Sequence, residues 1–156
     1  MNKPVAFLMF GLLFCGNAFG EMDKAGTIAY LKQFSGQACQ ESRWATSVDV
    51  TESGGVYVKH KRPNGSRSAY LEFELESLDF SATRTNAPSA SGGFAVIIVA
   101  SGNADSITQS RVNGSRFKVS EAELICFGDG DSATRYRNAF AHLIKLYGGS
   151  GDPFGT

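Results

Sequence analysis

Residues 122–149 read AELICFGDGDSATRYRNAFAHLIKLYGG, and this stretch decides the fold. A short apolar run carrying Cys126 comes first, then an acidic turn, then a helix that ends at paired glycines. At about 100° per residue, Ala133, Tyr136, Phe140, Leu143, Ile144 and Tyr147 fall on one helix face. Thr134, Asn138, His142 and Lys145 fall on the other, which predicts one buried face and places His142 in solvent. Asp131 or Ser132 is expected to cap the start, and Gly148-Gly149 to supply the left-handed stop. Ala122, Leu124 and Cys126 share strand parity, so Cys126 is expected to point inward with them.

Working back, the period is two. Phe94 to Ala100 lacks alternation and reads as a central strand buried on both faces. Trp44, Thr46, Val48 and Val50 alternate with Ala45, Ser47, Asp49 and Thr51 up to Ser53-Gly54-Gly55, and the tryptophan reads as a core anchor. Val56 to Lys61 and Arg67 to Leu78 form a hairpin around Pro63-Asn64-Gly65. With Asn64 and Gly65 central, partner numbers sum to 129, setting Val58 against Leu71 and Val56 against Phe73. Ile107 to Val112 and Ser115 to Val119 form a second Asn-Gly hairpin. A bend or bulge near Ser120-Glu121 is needed to keep Phe117 and Val119 on the core side with Ala122 and Leu124. Asp79 to Gly93 reads as a loop, and Asp23 to Phe34 as a first, shorter helix. The expected fold is α+β: a short N-terminal helix, an antiparallel meander sheet or roll of about six strands, and a C-terminal amphipathic helix packed on the sheet.

The first twenty residues have the form of an export signal. Lys3 precedes the apolar run Val5 to Phe14, and Ala18-Phe19-Gly20 offers small residues for cleavage before Glu21. A lipidated Cys15 is the rival, but Phe14 is large where a small residue is needed. Residues 1–20 are therefore read as a cleaved signal peptide and 21–156 as one domain, exported to the periplasm or beyond, with no membrane span. Removing twenty residues from 156 leaves 136. Losing Lys3 from 15 basic and 15 acidic residues leaves 14 against 15. That balance disfavours nucleic acid as a partner. Cleavage also leaves two cysteines, Cys39 and Cys126, and an even pair in an oxidising compartment suggests a disulfide. It would place the two helices side by side.

No catalytic set stands out. There is no G-x-S-x-G elbow, no cysteine pair at metal-ligand spacing, and no phosphate-cradling glycine motif. Asp129-Gly130-Asp131 has Phe140 where a calcium loop needs glutamate. No cofactor is expected. His60 has core parity and reads as a satisfied histidine. Glu72, Glu74 and Glu76 alternate with apolar residues and would line one strand face about 7 Å apart. The better candidate is a surface. Lys59, Lys61, Arg62 and Arg67 crowd the first hairpin tip, with Tyr57 and Tyr70 on the same outward face. It suits an unidentified protein or a small anionic ligand. The alternatives are a small periplasmic hydrolase using His60 with the glutamate face, and an immunity or inhibitor protein for one enzyme. Arg62 to Arg67 is also echoed at Arg111 to Arg116, 49 residues on. Convergent turns, a duplication, or two tips serving one surface would each explain it.

The residues Ala139-Phe140, His142-Leu143-Ile144-Lys145-Leu146, Gly148-Gly149 and Asp152-Pro153-Phe154 resemble the ending of many small exported bacterial proteins of unknown function. In those, the position of Tyr147 is often cysteine. The resemblance implies a bacterial, exported setting and no activity. The order of elements also resembles a pleckstrin-homology-like roll, which is a likeness of topology alone.

Overall fold

The computed structural model describes residues 22–38, 45–61, 68–86 and 92–151. They form two helices and eight strands in two antiparallel sheets: α1 Lys24–Lys32, β1 Ala45–Val50, β2 Gly55–Lys61, β3 Ser68–Glu74, β4 Arg84–Asn86, β5 Phe94–Val99, β6 Ile107–Ser110, β7 Arg116–Val119, β8 Glu121–Phe127 and α2 Gly130–Leu146. The larger sheet has the order β1-β2-β3-β6-β7 and the smaller β4-β5-β8. The expectation of one sheet of about six strands is therefore corrected.

The division follows from the sequence at two places. After Glu74 the chain leaves β3 for a 3-10 turn, Leu75–Ser77, and Leu78 then bridges Ala100 beyond the end of β5. The strand expected to run to Leu78 thus ends four residues sooner, and Glu76 sits in the turn instead of extending a carboxylate row. At Ser120 the chain bends from β7 in the larger sheet into β8 in the smaller, at the site where the conflicting parities of Val119 and Ala122 required a break. The loop expected over 79–93 contains β4, which pairs with β5 through Arg84↔Ile97 and Asn86↔Ala95.

Both sheets and α2 enclose one core. The larger sheet contributes Val48, Val56, Val58, Leu71, Phe73 and Ile107. The smaller sheet adds Val96, Ile98, Leu124, Ile125 and Phe127, and α2 adds Tyr136, Phe140, Leu143 and Ile144. The rings of Phe34, Phe127 and Tyr136 pack at centroid distances of 5.3–5.6 Å, which sets α1 against α2. Burial holds the Tyr136 hydroxyl protonated far beyond its ordinary range.

The caps of α2 are set by local chemistry. Asp129, not Asp131 or Ser132, is the N-cap: its carboxylate accepts the Ser132 N–H at 2.7 Å. That bond, beside the helix N-terminus, lowers its pKa. At the other end Gly148 takes φ +85°, its N–H donates to Lys145 O, and the Gly149 N–H donates to Ile144 O. This is a Schellman stop. His142 is not free in solvent: its Nε2 lies 2.8 Å from Met22 O, a link 120 residues away in sequence that ties α2 to the start of α1.

Candidate functional site

Cross-strand pairing orders the two faces of the larger sheet. Register makes Val56↔Phe73, Val58↔Leu71 and Lys59↔Tyr70 partners, so numbers sum to 129 as the turn chemistry requires. The hairpin ladder runs from Gly55↔Glu74 to Lys61↔Ser68. Pro63, Asn64, Gly65, Arg62 and Arg67 lie outside the described residues.

The outward face can be read as rows. One row runs Ser47, Lys59, Tyr70, Ser110, Arg116, and the next Asp49, Tyr57, Glu72, Thr108, Lys118. Tyr57 and Tyr70 are diagonal neighbours at the centre, and their rings stack with centroids 5.3 Å apart and planes 29° from parallel. Lys59 Nζ stands 5.9 Å from the Tyr70 ring centre, and Arg116 pairs with the Glu72 carboxylate. Tyr57 is 40% exposed, the one large hydrophobic side chain so exposed among the described residues. Partial burial and the neighbouring Tyr70 and Glu72 raise its pKa, so the phenol stays a neutral hydrogen-bonding group.

The structure thus brings together Tyr57, Lys59, Lys61 and Tyr70 from the expected set. It adds Arg116 and Lys118 from β7, which reading one hairpin at a time cannot reach. Only the pairing of β3 with β6, through Tyr70↔Ser110, carries the second hairpin alongside the first. The face is also less one-sided than the hairpin alone, because Asp49, Glu72 and Glu74 share it.

The inward face runs from apolar to polar. Val50, Val56 and Phe73 form one row, and Thr46, His60 and Ala69 form another nearer the hairpin tip. His60 and Thr46 share a hydrogen bond of 3.0 Å through Nδ1 and the hydroxyl. Burial pushes the imidazole down to about 4. His60 is therefore a neutral, satisfied group on the core side. Glu72 and Glu74 lie on the opposite face, so the grouping required for a His60–glutamate hydrolase is not assembled. Among the described residues no three metal-ligating side chains cluster.

Cys126 is buried and disulfide-bonded, with its partner outside the described residues. Its face differs from the expected one. Val96 pairs with Ile125 but Ile97 with Glu123, so Leu124 is an extra residue in β8. That bulge reverses parity, and Cys126 stands opposite Ala95, on the far side of the smaller sheet from Ala122. Cys39 and Trp44 lie outside the described residues, as does the segment read as a signal peptide. No helix among the described residues is long and apolar enough to cross a membrane. No family model, curated protein or solved structure matches the chain.

Proposed function

We propose that this chain is an exported, non-catalytic binding domain that recognises a protein or an anionic ligand through the outer face of the larger sheet. The observation that carries this reading is the Tyr57–Tyr70 stack, exposed at the centre of that face with Lys59 beside it and Lys61, Arg116 and Lys118 around it. Stacked tyrosines offer rigid contact area at low entropic cost, and flanking cations add charge recognition and orientation. Both helices pack elsewhere, against each other and the core. The leader ends at Gly20, and the mature domain closes a disulfide between Cys39 and Cys126.

The test is affinity capture by the mature protein from its own envelope extract, read by mass spectrometry, beside a Tyr57→Ala, Lys59→Glu, Lys61→Glu triple variant. A partner held by the wild type and lost by the variant is the expected result. Equal recovery with both would remove the face from consideration. Intact mass and thiol counting on the same material test the export reading: a chain starting at Glu21 with no free thiol is expected.

A further inference from the structure

We propose that the fork between the two hairpins is an oxyanion-binding site, distinct from the tyrosine face. The ladder joining β3 to β6 ends at Tyr70↔Ser110, yet each hairpin continues past that point. The first pairs on to Lys61↔Ser68, and in the second the Arg111 N–H donates to Ser115 O at 2.8 Å. The strands part, and a hollow of about 350 Å³ opens between them, lined by Ala69 on one side and Gln109, Ser110, Arg111, Val112 and Asn113 on the other. The hollow is shallow and open to solvent.

Among its lining residues Arg111 is the one charged residue, beside Ser110, Gln109 and Asn113, and none carries a carboxylate. Arg111 makes no ion pair among the described residues. Its guanidinium rests 4.7 Å from the Phe117 ring centre, which restrains the side chain without neutralising it. The loop tip is ordered by its own hydrogen bonds. The Gly114 N–H donates to Arg111 O at 2.9 Å, and Gly114 takes φ +86°, making a turn closed by a glycine bulge. Asn113 Oδ1 accepts from the Ser115 N–H at 3.1 Å and from its hydroxyl at 2.7 Å. With the oxygen so engaged, the Asn113 NH₂ is left as a donor. A planar fork of charged N–H groups beside amide donors matches a carboxylate, sulfate or phosphate.

The test is amide chemical-shift titration of the full mature protein with sodium phosphate, sulfate and glucuronate, against chloride at equal ionic strength. Saturable shifts at Ala69 and residues 109–113, for at least one of the three anions and not for chloride, are expected. The tightest of the three assigns the anion class. Arg111→Gln should weaken that binding about tenfold or more. Should Arg111→Gln lose its fold by circular dichroism, Ala69→Leu, which fills the hollow from the other strand, decides instead. No saturable shift above chloride overturns the proposal, and so does undiminished binding in the folded variants.

Discussion

The two sheets are built from the same kind of strand pairing and treat their faces in opposite ways. In the larger sheet, burial alternates from Val56 to Val58 in β2 and from Leu71 to Glu74 in β3, so one face is core and the other carries Tyr57, Lys59, Tyr70 and Glu72. In the smaller sheet, β5 reads Phe-Ala-Val-Ile-Ile-Val and is buried along both faces. Val96 and Ile98 join the main core, while Ala95, Ile97 and Val99 pack with Ala82 on the other side. Arg84 and Glu121 add an exposed ion pair of 2.7 Å between β4 and β8. A strand with no solvent face has no surface for a partner. The smaller sheet is therefore buried structure on both sides, and the larger sheet carries the exposed face on which the proposed recognition rests.

The strongest way to break that division is to cut matched side chains from each sheet. Ile98 is fully buried, so Ile98→Ala should cost about 2–5 kcal/mol, read as a fall in denaturant midpoint. A loss below about 1 kcal/mol would mean that β5 is not the central support described. The disulfide at Cys126 acts on the same sheet. If Cys39 is the partner, the loop spans 87 residues and reduction should cost about 4 kcal/mol, less any strain relieved. Equal stability of the oxidised and reduced protein would refute the cross-link.

How much of this could be read in the sequence depends on whether neighbours in space are neighbours in the chain. The register of the first hairpin was legible to the residue, because Asn64-Gly65 and the alternation from Val56 to Phe73 are local signals that agree, whereas the end of its second strand at Glu74 was not. The C-terminal helix face and its Gly148-Gly149 stop were legible for the same reason. The bend at Ser120 could be anticipated from conflicting parity, but not that it passes between two sheets. The extra residue at Leu124 could not be anticipated, because Leu-Ile-Cys-Phe is apolar in either parity, and Cys126 therefore changed face. β4 is three residues, Arg-Thr-Asn, with no apolar alternation to announce it. His142 finds Met22 O only once α1 is folded against α2. On the candidate face, Tyr57, Lys59 and Tyr70 came from one hairpin's register. Arg116 and Lys118 needed the tertiary pairing of β3 with β6.

A pH experiment sharpens the contrast between the two faces of the larger sheet. On its core side His60 has a pKa near 4 in the folded protein, against about 6.5 when unfolded. Above pH 6.5 neither state binds the proton. Between pH 6.5 and 4 the unfolded chain binds it and the folded chain does not, so stability falls as pH is lowered through that window. The loss should approach about 3 kcal/mol at its acid end. In His60→Gln the slope in this window should flatten. A wild-type slope that persists unchanged in the variant would place the titrating group elsewhere.

The smallest stability effects are expected on the outer side, and their smallness is informative. Tyr57 is 40% exposed and its ring meets Tyr70 on the surface, so Tyr57→Ala should cost about 1 kcal/mol or less. Glu72→Gln removes the partner of Arg116 in an ion pair whose side chains are 44% and 58% exposed, and such pairs contribute about 0–1 kcal/mol. Screening by salt should reduce even that. Both variants should therefore melt close to wild type in chemical denaturation, with the Glu72 difference shrinking as salt is added. If either lost several kcal/mol, the outer side would be a structural face like those of β5, and the case for a recognition surface would fail with it.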